Sequence, residues 1–209
     1  MSGPFGATPW MYDERAFYPL TIDQSLKFND DESQYLSWTP ATAGNLTTWT
    51  WSGWAKRANV ASGSYYLLGV SVGTSQWFFL GFTNAGTLDV RQFNSSGYDF
   101  RKISTAIYRD PSSWYHIVMS YESGNATAED RIKLYVNGER VISFSTNSNP
   151  SSGLNAYVSQ TNKHVIGAFS DNNGSSIYSF FDGYLSDVYF IDGQALDSTN
   201  FGEFKDGIW

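Results

Sequence analysis

The chain has 209 residues, 18% of them aromatic, with 19 glycines, no cysteine and a formal net charge of -7. That length suits a single domain able to bury a core without staples, and the missing cysteines exclude disulfides and thiolate metal sites and fit a reducing compartment. The acidic balance argues against nucleic acid as a partner, and no apolar run reaches the roughly 18 residues that membrane insertion needs.

Residues 1–20 differ from the rest. The first ten, MSGPFGATPW, lack the basic region and apolar run of a signal peptide. Gly3, Pro4, Gly6 and Pro9 interrupt any regular element. Yet Trp10, Tyr12 and Phe17 are large rings, which a purely disordered tail would be poorer in. The stretch reads either as an arm that docks on a partner subunit through those rings, or as a segment lying along its own domain. The domain proper then runs over residues 21–209.

Short strands are expected at 25–28 and 34–36, around the acidic turn Asn29-Asp30-Asp31-Glu32. Carboxylates such as Asp30 and Asp31 suit a hard cation such as calcium; the competing reading is a solvated turn. Residues 46–56 (LTTWTWSGWAK) form a strand with Trp49 and Trp51 on one face, continued by Gly53 and Ala55. Trp54 points the other way, beside Thr50 and Ser52. It is a candidate ligand-facing or partner-facing ring, against the alternative that it packs under a covering loop.

Strands at 65–72, 76–82, 87–93 and 98–107 follow, joined by Gly-, Asn- and Ser-rich turns, the meander expected of a sandwich. Another runs over 114–121 (WYHIVMSY). In 130–145 (DRIKLYVNGERVISFS), Ile132, Leu134 and Val136 share one face. Asn137-Gly138 suits a type I′ turn because both positions need positive φ, and a second β-rich run at 139–144 completes the hairpin. Residues 147–153, with Pro150, read as a polar loop that no strand crosses.

A strand is expected at 164–168. Asp171-Asn172-Asn173-Gly174-Ser175 reads as a turn or as an incomplete cation loop, with Asp171 and Asn173 as oxygen ligands and no distal Glu. Residues 176–191 carry the closing strands. Phe181, Gly183, Leu185, Asp187, Tyr189 and Ile191 alternate with Asp182, Tyr184, Ser186, Val188 and Phe190. Both sets hold large apolar residues, which places this strand centrally. Residues 195–204 suit a short helix or 3₁₀ turn, and no long helix is expected anywhere.

Catalytic patterns are weak. Gly69-Val70-Ser71-Val72-Gly73 has the spacing of a nucleophile elbow but lies in β-rich sequence with no helix behind it. His116 and His164 fall in strands, far from any candidate acid. Glycoside hydrolysis needs two carboxyl groups facing one cleft, and Asp182 and Asp187, five apart, fall on opposite strand faces. The chain therefore reads as a non-enzyme.

Four stretches then stand in order: SLKFNDDESQYLSWTPATAGNLTTWTWSGWAKR, IYRDPSSWYHIVMSYES, RIKLYVNGERVISFS and FFDGYLSDVYFIDGQAL. Together they resemble the laminin-G-like, concanavalin A-like jelly-roll module of tailed-phage structural proteins, marine phages especially, over about residues 21–203. The resemblance implies an all-β fold, an antiparallel two-sheet β-sandwich with loops at its rim. It implies a non-enzymatic virion protein: a surface-exposed subunit such as a capsid decoration, fibre or tail component, made in the host cytoplasm and attached by its N-terminal arm. The implied partners are other virion proteins, further copies of the chain and a host-surface glycan. Calcium at the sandwich rim is the cofactor of some relatives. The alternative is a stand-alone carbohydrate-binding, lectin-like adhesion module.

Overall fold

In the computed structural model, residues 22–60, 63 and 65–209 are described; Trp10, Tyr12, Phe17 and the arm that holds them lie outside the described residues. Strands are numbered in chain order. A six-stranded sheet has the order β1 (Leu26–Phe28), β15 (Gly183–Asp192), β3 (Thr48–Arg57), β8 (Tyr115–Glu122), β9 (Ile132–Val136), β10 (Glu139–Arg140). The second sheet runs β11 (Phe144–Ser148), β7 (Tyr98–Ile107), β6 (Thr87–Asn94), β5 (Gln76–Phe82), β4 (Tyr65–Gly73), β12 (His164–Ile166), β2 (Leu36–Trp38). Every pairing is antiparallel. A ribbon of β13 (Phe169–Asp171) and β14 (Ser176–Tyr178) packs outside the second sheet, Phe169 meeting Tyr66, Trp77 and Phe79. The described helical turns are three-residue 3₁₀ pieces, and none is long or apolar enough to cross a membrane.

The sandwich core takes up part of the aromatic content. Trp49 and Trp51 from β3 are fully buried, and Trp49 joins the layers. It stacks on Tyr121 of its own sheet at 5.3 Å and meets Phe78 of the facing sheet edge-on at 5.7 Å. Such pairs add to the burial of large apolar area. Thr50, Ser52 and Trp54 point outward, yet Thr50 and Ser52 are buried too, because the chain after β15 folds over that face. Thr50 Oγ1 donates to the Gln194 carbonyl at 2.7 Å and accepts from the Leu196 N–H at 2.8 Å.

The Asn137-Gly138 turn has φ of 48° and 83°, as its sequence requires. The run beyond it departs from expectation. β10 holds only Glu139 and Arg140, Ile142 is 84% exposed, and the chain then crosses to the other sheet, where β11 pairs with β7. The switch serves Lys102, which points from β7 into the interior and is 1% exposed. β11 brings Asn147 to within 2.7 Å of its ammonium group, and Glu129 lies 3.2 Å away. A buried cation needs such partners. β11 thus takes Asn147 and Ser148, residues expected in a polar loop.

The alternation expected after Leu185 also fails, because β15 carries a bulge. Ser186 pairs with Trp54 and Tyr189 with Ser52, so Asp187 and Val188 together oppose Gly53. Asp187 takes φ of 48°. The extra residue returns Val188 and Phe190 to the core and turns Tyr189 outward, 49% exposed. An unbulged strand would aim the Asp187 carboxylate at the apolar interior, at a cost of several kcal/mol. Gly53 makes room for the bulge: a β-carbon there would sit 2.9 Å from the Trp51 ring and 3.3 Å from Val188.

Candidate binding site

The bulge, the outward side chains of β3 and β8, and the C-terminal segment enclose a depression of about 700 Å³ on the outer face of the six-stranded sheet. That is the size range of ligand pockets. Trp54 and His116, a cross-strand pair, form part of its lining, their rings 4.8 Å apart. Tyr189, stacked with Phe201 at 6.3 Å, lines it as well. Ile22 to Gln24, Asp187, Glu203, Lys205 and Trp209 complete much of the wall.

The C-terminal indole is held in a socket. Trp209 stacks on His116 at 5.8 Å, and its Nε1–H donates to His116 Nδ1 at 2.9 Å. Gly138 and Gly202 lie against the same ring; a β-carbon on Gly138 would enter it, and one on Gly202 would approach to 2.9 Å. Ser198 Oγ donates to the Gly138 carbonyl at 2.8 Å, tying the segment to the β9–β10 turn.

This arrangement fixes the chemistry of His116. An indole N–H only donates, so Nδ1 is an acceptor and the ring proton sits on Nε2. Nε2–H then donates to Ser52 Oγ, 2.9 Å away. Burial drives the pKa of His116 down to about 4, with the charge of Asp187 opposing. A serine nucleophile needs the reverse bond, a base nitrogen accepting from the hydroxyl. The Ser52–His116 pair is thus a structural hydrogen bond. His164 is a parallel case: it accepts the Ser159 N–H at Nε2, donates from Nδ1 to the Asn162 carbonyl, and its ring lies tilted against Trp38 at 4.8 Å. Burial lowers its pKa too.

The other expected site residues are dispersed. Asp30 and Asp31 sit in the turn before β2, where Asn29 Oδ1 accepts the Asp31 N–H at 3.2 Å. Asp182 lies in their field: burial first, then the charge of Asp30, raises its pKa. Asp171 caps a 3₁₀ turn by accepting the Asn172 N–H at 2.7 Å. Asn173 donates its N–H to Ser71 Oγ and accepts from Asn162 at 2.5 Å. Asp30 acts on Tyr65 at one end of β4, while Asn173 meets Ser71 near the other. At about 3.3 Å per residue those positions are roughly 20 Å apart, so the four do not form one ligand set. Among the described residues no group of three or more His, Asp or Glu side chains is placed to hold a metal ion. Ser71 lies inside β4, fully buried and donating to the Gly73 carbonyl, which removes the nucleophile-elbow reading.

The outer face of the seven-stranded sheet carries a second cluster of rings. Trp77 stacks with Phe79 at 5.4 Å and Phe93 at 5.1 Å. Arg91 covers Phe79 at 4.3 Å and pairs with Asp89 at 2.8 Å. Sequence reasoning singled out Trp54, which the structure places in this lining, and did not name Tyr189, Phe201, Glu203 or Trp209. The available signal was FGEFKDGIW itself, a glycine-containing stretch with four large apolar side chains and no strand pattern.

A family model described as the Concanavalin A-like lectin/glucanases superfamily matches residues 30–199. No curated protein matches the sequence. Among solved structures, the carbohydrate-binding module CBM40 of the Ruminococcus gnavus IT-sialidase superposes with a TM-score of 0.57 at 14% identity, covering 80% of this chain and 94% of that one. The same module bound to α2,6 sialyllactose gives 0.54 at 15% identity, covering 79% and 95%. A SAP-like pentraxin from Limulus polyphemus gives 0.57 at 18% identity, covering 84% and 77%. At such identities the likeness speaks for the fold.

Proposed function

Since the chain belongs to the concanavalin A-like lectin/glucanases superfamily, we propose that it is a non-catalytic, lectin-like adhesion module that binds glycan in the depression beside Trp54. The observation that carries this reading is the depression's lining, which sets aromatic rings beside carboxylates, two of them without a partner among the described residues. Asp23 and Glu203 line it, and neither makes a hydrogen bond or ion pair with any described residue. Rings of this kind stack on the apolar face of a sugar, and free acceptors take its hydroxyl protons. The His116 tautomer supports binding over turnover. The sialyllactose-bound module is a precedent for glycan contact on this fold.

The test is a glycan array probed with the full chain and with Trp54→Ala, with and without calcium. Hits on the native chain that fade in the variant support the reading. An array without hits in either condition overturns it.

We propose the setting from the four stretches that resemble phage structural modules. The chain would be a surface-exposed subunit of a tailed-phage particle, with virion proteins and further copies of itself as partners and residues 1–20 as its attachment. Deleting residues 1–18 is expected to leave a folded domain that no longer joins particles. Normal incorporation of the truncated chain removes the tether from the account.

A further inference from the structure

Among the described residues the charges around the depression are one-sided: Asp23, Asp187 and Glu203 line it, with Lys205 the one cation. Among the described residues Lys205 makes no ion pair or side-chain hydrogen bond, so it neutralises none of the three at close range. Among the described residues Asp187 accepts only the Ser186 hydroxyl, at 3.0 Å. The protein's net charge of -7 adds to the same field. Between these charges stand Trp54, Tyr189, Phe201 and Trp209, whose ring faces favour apolar sugar faces and cations.

We infer that the depression admits saccharides that are uncharged or carry an amine, and turns away those that carry a carboxylate. The inference rests on the glycan-binding reading above and names the ligand class for that site. A ligand carboxylate in the depression meets a surplus of two negative charges among the described lining residues. At the effective dielectric of a protein surface and at low salt, this lowers affinity on the order of tenfold relative to the neutral parent sugar. An amine gains by a similar factor. Salt is an independent handle, since the screening length falls from about 30 Å at 0.01 M to about 3 Å at 1 M.

The probes are lactose, sialyllactose and a glucosamine oligomer, titrated calorimetrically into the full chain at low and high salt. A second protein carries Asp23→Asn and Glu203→Gln; both side chains are exposed and make no bond with any described residue, so the fold is spared. The expected order is glucosamine oligomer, then lactose, with sialyllactose about tenfold weaker than lactose. The lactose–sialyllactose gap is expected to close in the double variant and at 1 M salt. Sialyllactose binding as tightly as lactose to the native chain overturns the inference and leaves the glycan reading standing. Absence of binding by all three probes, with Trp54→Ala indistinguishable from native, removes the reading and the inference together.

Discussion

Replacing Trp209 by phenylalanine tests the socket that defines the site. The ring is largely kept, but the indole N–H that His116 Nδ1 accepts at 2.9 Å is gone. His116 is 2% exposed, so no water readily replaces the donor. A buried acceptor left unpaired costs about 1–3 kcal/mol, and the smaller ring between Gly138 and Gly202 adds about 1 kcal/mol. The expected loss is therefore roughly 2–4 kcal/mol in a urea titration at pH 7.5. Nitrogen NMR of the imidazole gives a second reading. In the native chain it should report a neutral ring protonated on Nε2, titrating near about 4. In the variant the midpoint should climb toward the ordinary histidine value. A native ring protonated on Nδ1, or a variant as stable as native, would refute the reasoning.

Four further outcomes are expected. Between pH 6.5 and about 4 the unfolded chain binds a proton at His116 that the folded chain refuses. That contribution is complete above pH 6.5 and shrinks by roughly 3 kcal/mol as pH falls, at about 1.4 kcal/mol per unit. His164, also lowered by burial, acts in the same direction. A His116→Asn variant with the same pH slope as native would contradict this. Gly138→Ala, at φ 83° and against the Trp209 ring, should cost about 2 kcal/mol or more by thermal or urea unfolding. Lys102→Met should cost under about 1 kcal/mol, because the stem survives, a buried charge is shed, and the exposed Glu129 keeps Asn147 and Asn149. Lys102→Ala should cost about 2–4 kcal/mol through lost packing, and a larger loss for Met than for Ala would reverse the argument. Trp54→Ala should weaken glycan binding at least tenfold, about 1.4 kcal/mol, with circular dichroism unchanged.

Much of the sandwich was legible from local patterns. β5 and β7 occupy the stretches expected of them, and Asn137-Gly138 makes its turn, because period-two alternation and positive-φ residues act within a few neighbours. The misreadings came where distant residues decide. Nothing near Phe144 announces that Asn147 is wanted beside Lys102, 45 positions away. The bulge at Asp187 answers to Gly53 and Trp51 on another strand, so alternation counted along β15 alone went out of phase. The site inherits that difficulty. Trp54 stood out as a ring on the wrong face of its strand. Tyr189 reaches the same surface only through the bulge, and Trp209 only through a socket made by Gly138, Gly202 and His116.

The most direct test of the account is chemical-shift mapping of a bound glycan, selected from the array, on the isotopically labelled full chain. The account predicts perturbations gathered on Trp54, Tyr189, Phe201 and the Trp209 indole, with the glycan unchanged over days. Perturbations centred on Trp77 and Tyr98 across the other sheet, or cleavage of the glycan in the tube, would contradict it.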